Sequence, residues 1–81
     1  MIRLSLFSRP GCHLCDEMKT VVRRVAATMP VQLDEVDISG DPALEARYGT
    51  EIPVLMLGGT KVAKSRISET DLRRVLQARS E

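Results

Sequence analysis

The 81-residue sequence predicts an α/β fold of order β-α-β-α-β-β-α, a four-stranded mixed sheet flanked by helices. Three observations carry that prediction. Short apolar runs bounded by turn residues recur at 2–7, 31–38 and 52–57. A single apolar stripe at helical spacing separates the first two runs. Gly58-Gly59 then joins the third run to a further short strand as a tight hairpin.

The elements follow in order. Ile2, Leu4, Leu6 and Phe7 give a first strand, and Ser8-Arg9-Pro10-Gly11 ends it with turn chemistry. Leu14, Met18, Val21, Val22, Val25, Ala26 and Met29 form the helical stripe, with Asp16, Glu17, Lys19, Arg23 and Arg24 on the other side. Acids come early and bases late, which suits the helix dipole, and Pro30 is the expected stop. Val31 to Ile38 is a second strand whose alternation slips phase between Leu33 and Val36. Asp41-Pro42 marks a helix start, an Asp cap followed by proline at the first helical position, and that helix closes at Gly49 after Tyr48. Beyond the hairpin, Thr60 to Ala63 is the partner strand. Ser68 caps a last helix, with Asp71 three residues on and an Ile67–Leu72 apolar pair across the cap. The first β-α-β unit is expected to be parallel and the hairpin antiparallel.

Length and composition fit one domain over residues 1–81, with an ordinary share of hydrophobic (43%) and charged (28%) residues. Twelve Lys and Arg nearly balance eleven Asp and Glu, and Phe7 and Tyr48 are the only aromatic residues. Nucleic-acid binding at this size relies on strong positive charge and stacking rings, so no nucleic-acid partner is expected. No stretch approaches the roughly 20 apolar residues of a membrane span. Met1 to Phe7 is too short and broken for a secretory core. The expected location is cytoplasmic and the expected state a monomer. In the cytoplasm a persistent structural disulfide is rare, so two cysteines three apart point to chemistry or to metal.

Cys12-His13-Leu14-Cys15 lies between a strand and an amphipathic helix. If the helix begins there, Cys12 is its N-cap and Cys15 sits one turn inside. The Cys12 sulfur then meets unpaired N–H groups and the positive end of the dipole, and both favour thiolate. A thiolate attacks disulfides, and Cys15 is placed to resolve the mixed disulfide that results. Structural zinc asks for four ligands, which Cys12, Cys15 and the single histidine, His13, do not supply. A protonated His13 would favour the thiolate electrostatically; otherwise it is an exposed first-turn residue. Arg9 either holds a substrate carboxylate or the thiolate, or is a solvated loop charge. Pro53 starts the third strand, and a cis bond after Ile52 would free the Ile52 backbone to pair with an extended substrate.

Ser8-Arg9-Pro10-Gly11-Cys12-His13-Leu14-Cys15 resembles the active-site turn of glutaredoxins, in the thioredoxin superfamily. Tyr48 to Leu55 resembles the superfamily's cis-proline segment, and Gly58-Gly59 its hairpin turn. The likeness runs the whole length and keeps the element order. It implies the thioredoxin fold, an exposed nucleophilic Cys12, a resolving Cys15 and a cis Pro53 facing Cys12. It also implies that Ile52 offers backbone hydrogen bonds to glutathione or a substrate chain. This chain departs from the pattern at His13-Leu14, where glutaredoxins usually carry Pro-Tyr. A second departure is Ala63 to Ser68, where they carry a second Gly-Gly, and a third is Glu51, where Thr is common.

The function expected is a dithiol-disulfide oxidoreductase acting on protein or glutathione mixed disulfides. It would hold no bound cofactor or metal, use glutathione as co-substrate, and be restored by glutathione or a thioredoxin-type reductase. Two other readings stand beside it: an iron–sulfur cluster shared by two chains, and a non-catalytic binding module that presents the cis-proline groove.

Overall fold

β1 (Ile2–Ser8) carries apolar side chains on both of its faces, and the sheet forms around it. Leu4 and Leu6 are fully buried on one face, while Phe7 packs on the other. The computed structural model describes residues 1–79, and within them the order is β1, α1 (His13–Ala26), β2 (Val31–Asp37), α2 (Pro42–Tyr48), β3 (Val54–Leu57), β4 (Thr60–Lys64) and α3 (Glu69–Arg79). The sheet order is β2-β1-β3-β4. β1 is parallel to β2 with Leu4 opposite Leu33, and antiparallel to β3 with Leu6 opposite Leu55. β3 and β4 form the predicted hairpin, turning through Gly58 at a φ of 60° that a side chain would resist. This is the mixed four-stranded sheet flanked by helices that the sequence predicts.

The two faces bury separate clusters. Against α1 and α3 lie Leu4, Leu6 and Leu55 with Met18, Val22, Val25, Leu72 and Leu76. Against α2 lie Ile38, Tyr48 and Val54, with Phe7, Leu44, Ile52 and Met56 packed on them. Phe7 and Tyr48 stack with ring centroids 4.6 Å apart. This division explains the phase slip in the second strand. Val31 and Leu33 feed the α1/α3 cluster, whereas Ile38 feeds the α2 cluster. A strand with helices on both sides has no single polar face, so its apolar residues change parity partway along.

Caps set the helix ends. Asp41 Oδ1 accepts the Ala43 and Leu44 N–H groups at 3.1 and 3.2 Å, with Pro42 at the first position. Ser68 Oγ accepts the Asp71 N–H at 3.1 Å, and Ile67 and Leu72 join the same apolar cluster. α1 ends at Ala26, short of the Met29 to which the stripe runs. The Ala27 N–H is shared between the Arg23 and Arg24 carbonyls, and the Thr28 and Met29 N–H groups both turn back to Val25. Met29 still packs on the core from that turn, which is why the stripe runs on past the helix. Gly49 closes α2 with an ordinary right-handed φ of −55°; its hydrogen is needed because a Cβ there would lie 2.5 Å from the Glu45 carbonyl oxygen. No helix among the described residues is long and apolar enough to cross a membrane.

Two substitutions test this account of the core and caps. Leu6→Ala, which empties a fully buried site between β1's neighbours and α1, is expected to cost about 2–5 kcal/mol. Ser68→Ala is expected to cost about 1 kcal/mol through the lost cap. Urea unfolding should show a lowered midpoint with an unchanged slope in both, the larger drop in Leu6→Ala.

Candidate active site

β1 delivers the chain to the site. After Ser8 the backbone turns through Arg9-Pro10-Gly11, with Gly11 at a φ of 78° and the Cys12 N–H donating to the Arg9 carbonyl at 3.3 Å. Cys12 then stands in extended geometry (φ −85°, ψ 109°) as the N-cap of α1. Its Sγ accepts the Cys15 N–H at 3.1 Å and its carbonyl accepts the Asp16 N–H at 3.2 Å. A sulfur thus takes the place a Ser or Asp oxygen usually fills. Cys12 and Cys15 are joined as a disulfide with their Cα atoms 5.2 Å apart. Cys12 is half-buried, whereas Cys15 on the inward face is only 2% exposed.

Pro53 follows a cis peptide bond and is buried. The register sets Phe7 opposite Val54, so Pro53 lies at the end of the sheet from which the Cys12 turn departs. Its carbonyl accepts the Ser65 N–H at 2.9 Å. The Ile52 N–H is taken up by the Tyr48 carbonyl at 3.1 Å, and the Ile52 side chain packs in the α2 cluster. The Ile52 N–H is thus already committed, and no backbone N–H among the described residues donates to the Ile52 carbonyl.

The two basic candidates turn elsewhere. The Arg9 guanidinium lies over α2, 3.8 Å from Glu45 Oε1. His13 is largely exposed and reaches along the helix to Glu17, Nε2 to Oε1 at 3.6 Å. The structure brings Cys12 and Cys15 together and sets Pro53 at the same end of the sheet; Arg9 and His13 are directed to carboxylates of their own.

Sequence reasoning missed two charged arrangements nearby. Glu51, next to Ile52, accepts a 2.7 Å hydrogen bond from Lys61 and has Lys64 at 3.9 Å. The hydrogen bond and charge of Lys61, assisted by Lys64, hold its carboxyl below the usual range. On the inward side, Lys19 reaches across to β2, with its Nζ 2.7 Å from Glu35 Oε1 and 3.9 Å from Asp16 Oδ1. The four-residue spacing of Cys15 and Lys19 was available in the sequence as a shared helix face. Glu35 and Lys61 come from strands whose register only the fold reveals.

Over residues 3–77 the chain matches the family described as Glutaredoxin-like domain (DUF836). It is similar to the solved protein XcR50 from X. campestris, 33% identical, with a TM-score of 0.80 over 93% of this chain and 96% of that one. Protein Ne2328 from Nitrosomonas europaea is 24% identical, with a TM-score of 0.78 over 91% of this chain and 89% of that one. A thioredoxin from Halobacterium salinarum, 23% identical, matches in fold with a TM-score of 0.66, covering 99% of this chain and 75% of that one. An uncharacterized protein of Mycobacterium tuberculosis is 24% identical over 76 residues, 88% of this chain and 78% of that protein.

The lowered Glu51 pKa gives a pH dependence of known sign. Folding favours the ionised carboxylate, so its stabilisation is full above the ordinary value of 4.5 and is lost as acid protonates the folded form. Glu51→Gln is expected to melt slightly below the parent at neutral pH, and the gap should close in acid. Paired melting curves across that range measure it.

Proposed function

This chain belongs to the glutaredoxin-like domain family and has the thioredoxin fold, and from that premise we propose that it is a dithiol-disulfide oxidoreductase acting through Cys12 and Cys15. The observation that carries the reading is the placement of the Cys12 sulfur. It caps α1, accepts the Cys15 N–H, and lies within bonding reach of the only other cysteine. In the reduced protein that position favours thiolate through the N–H contact and the helix dipole.

The reaction runs in two exchanges. The Cys12 thiolate attacks one sulfur of a substrate disulfide; that bond breaks, and the other sulfur leaves as thiolate. The Cys15 thiolate then attacks Cys12, forming the intramolecular disulfide and expelling the second substrate thiolate. Two electrons pass from the cysteine pair to the substrate, and each thiolate takes a proton from water. The division of exposure supports these roles, with Cys12 accessible to a partner and Cys15 sheltered behind it.

The substrates are protein disulfides or glutathione mixed disulfides, with the Ile52 carbonyl and Pro53 lying along the substrate chain. Two glutathione thiols, or a thioredoxin-type reductase, return the electrons. The protein works as a monomer in the cytoplasm with no bound cofactor or metal, where thiols are kept reduced.

Cys12→Ser is expected to reduce no model disulfide above background. Cys15→Ser should complete only the first exchange and accumulate a mixed disulfide visible by intact mass. The alkylation midpoint of Cys12 against pH is expected at about 3.5–7.5, below the value of about 8.5 for a free thiol. Unchanged turnover in Cys12→Ser, or a Cys12 midpoint at the free value, would overturn the proposal.

A further inference from the structure

A cavity of about 220 Å³ lies behind the disulfide, with Cys15 in its wall. It is lined by charge from three segments: Arg9 from the turn, Asp16 and Lys19 from α1, and Glu35 and Asp37 from β2. Their dispositions differ. Arg9 is turned to Glu45. Asp16 projects to solvent, with 74% of its side chain exposed. The Asp37 carboxylate accepts the Ser39 N–H at 2.8 Å. Lys19 is the most sheltered of the ion-paired side chains here, 23% exposed, with its ammonium 2.7 Å from Glu35 and 3.9 Å from Asp16.

Three carboxylates therefore border the cavity that holds a buried thiol. Burial and neighbouring negative charge both disfavour ionisation of that thiol. Yet resolution of the mixed disulfide needs Cys15 as thiolate. Lys19 stands one helical turn beyond Cys15 on the same face and supplies the compensating cation.

We propose that Lys19 is a positioning residue for the resolving step: paired with Glu35, it offsets the carboxylates that line the cavity together with Cys15 and keeps Cys15 ionisable. This rests on the reading that Cys15 resolves a mixed disulfide at Cys12. In that step the Cys15 proton passes to water in the open cavity. The thiolate forms a bond to Cys12 Sγ, the Cys12–substrate bond breaks, and the electron pair leaves on the substrate sulfur. Lys19 gives up no proton; it sets how much thiolate is present. Glu35 fixes the ammonium in place and moderates its effect.

The test measures ionisation directly, so it does not depend on turnover. In the single-thiol Cys12→Ser protein, ultraviolet thiolate absorbance is followed against pH with Lys19 native, as Lys19→Met and as Lys19→Arg. The Lys19→Met midpoint is expected to rise by about one pH unit, and Lys19→Arg to return it to the parent value. A midpoint unmoved by Lys19→Met, or moved equally by Lys19→Arg, overturns the proposal. Should Lys19→Met not fold, Lys19→Gln takes its place with the same expected rise, and a midpoint unmoved by it overturns the proposal. If Cys15 responds as expected in a protein that reduces no disulfide, the redox reading fails while the electrostatic role of Lys19 stands.

Discussion

Packing of β1 on both faces, fully buried at Leu4 and Leu6 and half-buried at Phe7, is the constraint on which the rest of the structure depends. Leu4 and Leu6 require cover from α1 and α3, and Phe7 requires it from α2, so helices must lie on both sides of the sheet. A strand that is covered twice must also be paired twice, and β2 and β3 flank it. Its direction then fixes where the chain leaves the sheet. At that end the turn through Gly11 hands the backbone to α1, and the residue at the handover is Cys12. The reactive sulfur sits at the helix end because a buried strand and the helix that covers it meet there.

The charges around this centre are held in local pairs. Arg9 pairs with Glu45, His13 with Glu17, Lys19 with Glu35 and Lys61 with Glu51. Exposed pairs of this kind contribute little to stability. Their effect here is directional: Arg9 and Lys19 both line the cavity beside Cys15, and each is held there by a carboxylate on a different element. Arg9 and His13, the bases nearest in sequence to Cys12, are turned to other carboxylates. Lys19, further along the helix, lines the cavity beside Cys15.

Much of the fold was legible because its signals are local. Asp41-Pro42, Ser68 and Gly58-Gly59 act within a few residues of themselves, and each does in the structure what its chemistry predicts. The apolar stripe located α1 but overran its end, since Met29 reaches the same core from a turn. Gly49 was rightly placed at a helix end, yet its reason is a close carbonyl, not a left-handed backbone. The Cys12 cap was legible from motif and position together. The directions of Arg9 and His13 were not, because long exposed side chains choose among partners that tertiary structure supplies. The Lys19–Glu35 clamp joins a helix to a strand and has no signature in either segment alone.

The pairing of β1 has a consequence for how the chain reaches this structure. The β3–β4 hairpin closes over a two-residue turn, a local event that costs little loop entropy. β1 has no such neighbour. Its parallel partner begins at Val31, and on its other side Leu4 waits for Leu57. Folding speed falls as contacts become more distant in sequence, so completion of β1 belongs to the late, slow part of assembly. During synthesis from the N-terminus, the strand that organises the molecule emerges before either partner. It has no partner until β2 has followed, and its β3 edge stays open until more than half of the chain has been made, an interval in which such a segment is prone to associate with other chains.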